Sequence, residues 1–419
     1  MSKKVILVGV SGSEKDFDYT MLELRNLAEA NHYQVVDEVR QNLDSAHKAT
    51  YVGKGKLEEL KQLGEMQEAK AFVLNDELTG SQIRNLEDAT GFQIIDRTAL
   101  ILSIFAERAK TREAQLQVEI ARLKYELPRM IGEGESLDQQ GGGSGLRNRG
   151  SGEKKLEQDR RIIKDRISKL TKELDAIVAE RETRRRKRKK NEIPVVSLVG
   201  YTNAGKSTTM NGLVADFSTS EHKQVFEKDM LFATLETSVR EIVLPDHKRF
   251  LLTDTVGFVS KLPTHLVKAF RSTLEEARDA DLLIHVVDYS DPNYQTMIET
   301  TECTLKEVGV EGIPVLFAYN KADKIAEENY PVLAGDTLVY SARDEASLFE
   351  LAETVKKRIF TGYKKVTLLI PFEEGQVVAY LNDKANVLSE EYLNEGTKVE
   401  VELSPVDQER LKKFRWRVS

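Results

Sequence analysis

Over the first hundred residues, short apolar runs alternate with stretches whose apolar residues recur every three or four positions. Val5–Val10, Gln34–Val39, Ala71–Leu74 and Phe92–Ile95 are rich in Val, Ile and Leu and predict strands. Thr20–Ala30, Leu57–Leu63 and Ser81–Ala89 predict helices between them. Parallel neighbours need a crossover, usually helical, so this β-α-β-α alternation predicts a small, largely parallel α/β domain over residues 1–96.

The pattern then becomes purely helical. No strong breaker stands between Arg97 and Pro128, and Leu116, Ile120, Leu123 and Leu127 recur at helical spacing. A second helix is predicted from about Glu153 to Lys190, where Leu156, Ile163, Ile167, Leu170, Leu174 and Ile177 form a near-heptad stripe. Two stripes joined by one loop predict an antiparallel helical hairpin over residues 97–191, with its tip at 132–152. A helix of about 30 residues reaches roughly 45 Å. Within the tip, Gly141–Gly152 holds Leu146 as its one sizeable apolar residue. It reads either as a plain linker or, through Arg147 and Arg149 on a yielding backbone, as a contact for RNA phosphates and unstacked bases.

Pro194–Val199 opens a further α/β domain over 192–363. A small α+β tail follows over 364–419, with strands at Val366–Ile370 and Lys398–Leu403 and helices at Glu374–Lys384 and Val406–Phe414.

The 419 residues carry a net charge of −7, which taken evenly would argue against nucleic acid. From Arg147 to Lys190, however, 18 Lys and Arg face 8 Asp and Glu, so the acidic total conceals a basic middle. The run Arg184–Lys190 is equally compatible with a solvated linker. Cys303 is the lone cysteine, which excludes an internal disulfide and a multi-cysteine zinc site. No stretch offers the roughly 20 apolar residues of a membrane span, and the N-terminus reads as a strand, not a signal peptide. A cytosolic monomer is the expectation.

The chemistry begins at Gly200-Tyr201-Thr202-Asn203-Ala204-Gly205-Lys206-Ser207, which fits the phosphate-loop pattern between an apolar strand and the helix-like Thr208–Val214. Gly200, Asn203, Ala204, Gly205 and Thr208 would supply backbone around the phosphates, assisted by the helix dipole. Lys206 would neutralise the β- and γ-phosphates, and Ser207 would sit on Mg²⁺. Downstream, strand-like Phe250–Thr253 ends in Asp254-Thr255-Val256-Gly257. Asp254 suits Mg²⁺ and the Gly257 N–H suits the γ-phosphate. Val315–Tyr319 leads into Asn320-Lys321-Ala322-Asp323, whose carboxylate can accept from guanine N1–H and the 2-amino group. Ser341-Ala342 follows another strand, with the Ala342 N–H placed for guanine O6. Four motifs in order, each after a strand, predict GTP and GDP binding and GTP hydrolysis.

Thr234 is the expected third oxygen for Mg²⁺ in the intervening loop, with Thr237 as its rival. Ras-like enzymes orient the attacking water with a glutamine after the glycine. Here that residue is Phe258, so hydrolysis is expected to be slow until a partner completes the site.

The arrangement resembles the HflX family of ribosome-associated GTPases over essentially its whole length. The marks are Tyr51-Val52-Gly53-Lys54-Gly55-Lys56, Asp96-Arg97-Thr98, Ile104–Ala109, Pro128-Arg129, Gly152-Glu153, Leu156-Glu157, Asp159–Arg161, Leu231–Leu235 and Asp254–Phe258. The resemblance implies binding to the large ribosomal subunit and its RNA, splitting or rescue of stalled ribosomes, and a hairpin tip that reaches toward the peptidyl-transferase region. It also suggests ATP at the N-terminal domain, near Gly53–Lys56. The tip, Gly143–Glu157, carries more bulk and charge than the family's usual pattern, and Leu235–Ser238 departs from the usual L-D-P-T. Both differences suggest a specialised branch, linked to stress or to resistance against a ribosome-bound drug. The rival reading is a regulatory GTP-binding module whose hairpin grips a protein. The expected fold class is α/β: a P-loop GTPase domain preceded by a small parallel α/β domain and a long antiparallel helical hairpin, and followed by an α+β tail.

Overall fold

The structure is a computed structural model that describes residues 2–12, 16–130, 146–189, 193–217, 232, 238–263, 266, 277–325 and 329–416. Side chains of the 146–189 helix are described over 157–180. The architecture is α/β.

The N-terminal part runs β1 (Lys3–Ser11), α1 (Phe17–Ala30), β2 (Tyr33–Asn42), α2 (Lys54–Met66), β3 (Ala71–Leu74), α3 (Gly80–Thr90) and β4 (Gln93–Asp96). Its sheet has the order β2-β1-β3-β4 and is parallel throughout. The centre of β1 is buried, as expected of a strand covered by helices on both faces. Gly9 lets α1 approach closely, because a Cβ there would stand 2.4 Å from the Met21 sulfur. Helix α3 starts at a capping box formed by Thr79 and Gln82 and ends at Gly91, φ 77°.

Beyond β4 the structure departs from the expectation of one unbroken helix. Helix α4 (Arg97–Arg108) stops, and α5 (Arg112–Arg129) starts at Thr111, whose hydroxyl accepts from the Ala114 N–H. The break comes from this N-cap, not from a Gly or Pro, and Pro128 lies inside the last turn of α5. Asp96 ties the pieces together. It caps α4 through Ala99 and accepts from Leu78 N–H, the Tyr125 hydroxyl (2.8 Å) and Arg129 (3.2 Å).

Helix α6 spans Leu146–Lys189 and so begins earlier than the expected Glu153, taking the backbone of Arg147 and Arg149 into a helix. Along it Ile163, Ile167, Leu170, Leu174 and Ile177 are half-buried, as the stripe requires. Arg112 pairs with Glu173 (2.7 Å) and Glu119 with Arg166, an order that makes α5 and α6 antiparallel. The remainder of the expected tip, 132–145, lies outside the described residues.

The central domain contains β5 (Val195–Val199), α7 (Lys206–Phe217), β6 (Ser238–Val243), β7 (Arg249–Asp254), β8 (Leu282–Asp288), α8 (Tyr294–Glu307), β9 (Val315–Asn320), β10 (Val332–Ala334), β11 (Thr337–Val339) and α9 (Glu345–Ile359). Its seven-stranded sheet, order β10-β11-β9-β8-β5-β7-β6, is parallel except at the edge strands β6 and β10.

The tail forms an antiparallel sheet of β12 (Lys364–Ile370), β14 (Gly396–Leu403) and β13 (Asn386–Leu393), with helices α10 (Gly375–Lys384) and α11 (Pro405–Arg410). Strand β13 was not expected, because its Ser-Glu-Glu centre is exposed and carries no apolar alternation.

One hydrophobic cluster runs from the first sheet into the central domain, joining Leu24, Ile101 and Phe105 to Tyr201, Phe232 and Phe258. At its centre Arg97 is 1% exposed. It donates to Ser260 O (3.2 and 3.1 Å), Thr20 O (3.3 Å), Asn75 Oδ1 (2.9 Å) and Glu23. Breaking a buried pair leaves the other charge uncompensated. Arg97→Ala should therefore cost about 3–5 kcal/mol, read as a fall in the midpoint of urea or thermal unfolding, whereas Lys4→Ala, at an exposed pair with Glu68, should leave that midpoint nearly unchanged.

Candidate nucleotide site

The site lies at the carboxyl ends of β5, β7, β8 and β9, where parallel strands meet helix N-termini. Gly200 and Gly205 have φ of 143° and 98°, and Asn203 has 60°. A Cβ on Gly200 would fall 2.2 Å from Val286 O, and one on Gly205 would fall 2.1 Å from Asn320 Nδ2. Both glycines are therefore required by conformation and by space. They turn the loop so that α7 begins at Lys206.

Lys206 is 6% exposed. Its ammonium donates to Gly200 O (3.0 Å) and Tyr201 O (2.7 Å). Burial pushes its pKa down to about 8, and the nearby Asp254 charge opposes the shift. Beneath the loop His285, 2% exposed, is held neutral: burial, then the Lys206 charge, lower its pKa to about 4. The Ser207 hydroxyl donates to Asp254 Oδ2 at 2.8 Å, so two oxygen donors converge beside the phosphate loop. Thr208, next along α7, is half-buried.

Gly257 lies against this loop. A Cβ on it would meet Thr202 Cα at 2.9 Å and Lys206 Nζ at 3.0 Å. The following residue seals the contact. Thr202 N–H donates to Phe258 O (2.8 Å), and Phe258 N–H donates to Gly200 O (3.3 Å). The Phe258 ring is 2% exposed.

On the far side, Asn320 joins two loops. Its Nδ2 donates to Ala204 O (2.9 Å), and its Oδ1 accepts from Ala342 N–H (2.9 Å). The Ala342 amide, expected to meet guanine O6, is here directed at Asn320. Asp323 is exposed, with one carboxylate oxygen accepting from Ser341 Oγ at 2.7 Å. Lys321, φ 67°, is anchored by Asp288 at 2.6 Å. The structure thus gathers Gly200, Asn203, Ala204, Gly205, Lys206, Ser207, Asp254, Gly257, Asn320, Lys321, Asp323, Ser341 and Ala342 along one edge. Thr234 and Thr237 lie outside the described residues, as do the side chains of Arg147 and Arg149.

Other contributors were not foreseen. Asp288 is the strand end beside Asn320 in parallel register, a position that an apolar strand closing on Asp could have signalled. Tyr201 and Ser260 contact Glu23 from the N-terminal part. Tyr201 occupies a variable position of the loop pattern, which offers no such signal.

Residues 18–106 match the family described as GTP-binding GTPase N-terminal, residues 108–188 the GTP-binding GTPase middle region, and residues 195–321 the 50S ribosome-binding GTPase. A protein named GTPase HflX from Caldanaerobacter subterraneus is 43% identical over 98% of this chain and 94% of its own. The chain belongs to the HflX family of GTPases. Another GTPase HflX, from Alkalihalophilus pseudofirmus, is 42% identical over 93% of the chain and 90% of its own. A solved structure described as SsGBP in complex with GDP is 27% identical, covering 84% of this chain and 98% of that one at a TM-score of 0.46. As an HflX GTPase the chain binds and hydrolyses GTP. No helix among the described residues is long and apolar enough to cross a membrane.

The depressed Lys206 pKa gives a test. If the nucleotide's phosphates lie against this ammonium they favour its charged form, and binding takes up a proton once the pH exceeds about 8. GTP affinity should be flat below that pH and fall above it by up to about tenfold per unit. Titrations of nucleotide affinity between neutral and alkaline pH should show this step, and an affinity that stays constant through that range would remove the assignment.

Proposed function

We propose that this HflX GTPase acts on the large ribosomal subunit, splits or rescues stalled ribosomes, and hydrolyses GTP slowly until the ribosome completes its site. Phe258 carries the reading. It stands where a water-orienting side chain would be needed, its ring is buried, and its backbone is bonded to the phosphate loop. The long helix α6 with its basic excess supports an RNA partner. A protein partner for the same hairpin is the competing reading.

In this reading Lys206 neutralises the β- and γ-phosphates and the Gly257 N–H meets the γ-phosphate. Asn203, Ala204, Gly205 and Thr208 surround the phosphates. The Ser207 hydroxyl and the Asp254 carboxylate are hard oxygen donors 2.8 Å apart, a set that suits Mg²⁺, which would neutralise charge on the phosphates. Asn320, Lys321 and Ser341 hold the guanine rim in shape, and Asp323 supplies the base-selective acceptor. A second nucleotide at the N-terminal domain has less support. Gly53 caps α2 and donates its N–H to Gln41 (3.0 Å), while Lys56 pairs with Glu59 (2.6 Å).

Asp323→Asn should weaken GTP by roughly 2–4 kcal/mol through lost charge-assisted bonding and improve xanthosine triphosphate. A variant that still prefers GTP would remove the guanine assignment. On the partner side, co-sedimentation with large subunits should weaken steeply as salt rises, because many phosphate contacts release counterions. The Arg147→Ala/Arg149→Ala protein should keep its intrinsic GTPase rate and lose ribosome stimulation and subunit splitting. Salt-insensitive binding would favour a protein partner, and equal stimulation would make the tip a plain linker.

A further inference from the structure

The phosphate loop and the Gly257 segment are held together from outside the GTPase fold. Tyr201 projects from the loop, and its hydroxyl donates to Glu23 on α1. The same hydroxyl accepts from Ser260 N–H (2.6 Å) and bonds Ser260 Oγ (2.7 Å). Glu23 also accepts from Ser260 N–H (3.3 Å), while Arg97 holds Ser260 O. The next residue, Lys261, pairs with Asp76 at 2.7 Å. Tyr201, Glu23, Arg97 and Ser260 are all nine-tenths buried, so these bonds act without water as a competitor.

What they hold is a closed arrangement. Gly257 is in contact with the loop, Phe258 is paired to Gly200 and Thr202, and the Lys206 ammonium is turned to loop carbonyls. A γ-phosphate must fit between that ammonium and the Gly257 N–H. Each of the two hydrogen bonds spans about 2.9 Å with the phosphate between them. A Cβ on Gly257 would stand 3.0 Å from that ammonium, too close for both bonds with a phosphate between them, so entry of the third phosphate calls for the gap to widen and the Phe258 pairing to loosen. GDP makes no such demand on Gly257.

We infer that Tyr201, Glu23, Arg97 and Ser260 are positioning residues that set the preference of this GTPase between GTP and GDP, acting through the Gly257 backbone. This rests on the reading above in which the Gly257 N–H meets the γ-phosphate. Their effect is selective by construction. A ligand shifts a two-state equilibrium only by its differential affinity for the two states, and the γ-phosphate is the group that distinguishes closed from open.

Tyr201→Phe removes the shared hydroxyl while keeping the ring. Losing one net hydrogen bond, about 1 kcal/mol, corresponds to about fivefold. Affinities of the full chain for GDP and for a non-hydrolysable GTP analogue, each with its unfolding midpoint, provide the test. The analogue-to-GDP affinity ratio should rise about fivefold. Ser260→Ala, which removes a hydroxyl from the other side of the junction, should raise the ratio in the same direction and guards against a local defect in the loop. An unchanged or lowered ratio in both variants overturns the inference, as does an equal change for the two nucleotides. Lys206→Ala separates this from the site itself. If it leaves both affinities intact, the phosphate-site reading fails. If it abolishes them while the ratio in Tyr201→Phe stays put, only the positioning role fails.

Discussion

A guanidinium removed from water is costly unless every N–H finds an acceptor, and Arg97 organises this molecule around meeting that demand. Its acceptors come from α1, from the end of β3 and from the segment after Phe258. No one of these elements could satisfy it alone. The arrangement therefore specifies how the N-terminal and central parts meet, beyond what apolar burial would fix. Apolar contact supplies the bulk of the attraction, including the edge-to-face pair Phe105–Phe232 at 4.6 Å. The polar junction selects one pose within it. Contacts between domains of one chain commonly permit relative motion. A buried charge with acceptors on both sides of the seam opposes it.

The placement follows from sheet topology. In the order β2-β1-β3-β4 the chain reverses between β1 and β3, and the crevice at their carboxyl ends is where such folds usually take a ligand. Asn75 and Asp76 stand at that end of β3, and here they meet Arg97 and Lys261. The Tyr51 hydroxyl donates to Asp76 and accepts from Val10 N–H, closing the same crevice from below. The occupant is thus part of the GTPase domain itself. The carboxyl ends of the parallel strands of both sheets supply this junction, and the residues between them belong to both.

Legibility in the sequence divides along contact range. The phosphate loop, Asp254–Gly257 and Asn320–Asp323 were readable because their geometry is local: glycines at fixed offsets after an apolar strand admit few conformations. The parallel sheets and the α6 stripe were readable from periodicity. The α4–α5 break was not, since Thr111 is an N-cap only because the chain turns there. Strand β13 was missed because it pairs on one edge with solvent-facing Glu residues. The junction was least legible. Glu23, Arg97, Tyr201 and Ser260 are ordinary residues in their own stretches, and contacts such as Ser260 to Glu23 span 237 positions. Arg97 and Tyr51 did lie in the stretches that carried the family resemblance, but no periodicity says what they touch.

Phe258 joins the chemistry to this architecture. In the structure its ring sits in the shared core with Tyr201 and Val259. A glutamine in that place would bury an amide where the neighbours are apolar, and an unsatisfied buried amide costs about 1–3 kcal/mol. A residue able to guide water would therefore weaken the closed contact between Gly257 and the phosphate loop, whereas phenylalanine strengthens it. The same choice leaves the attacking water without a guide at that position. The close contact of Gly257 with the phosphate loop and, in the proposed reading, the dependence on a partner for hydrolysis are thus two consequences of one side chain, and changing it would alter both together.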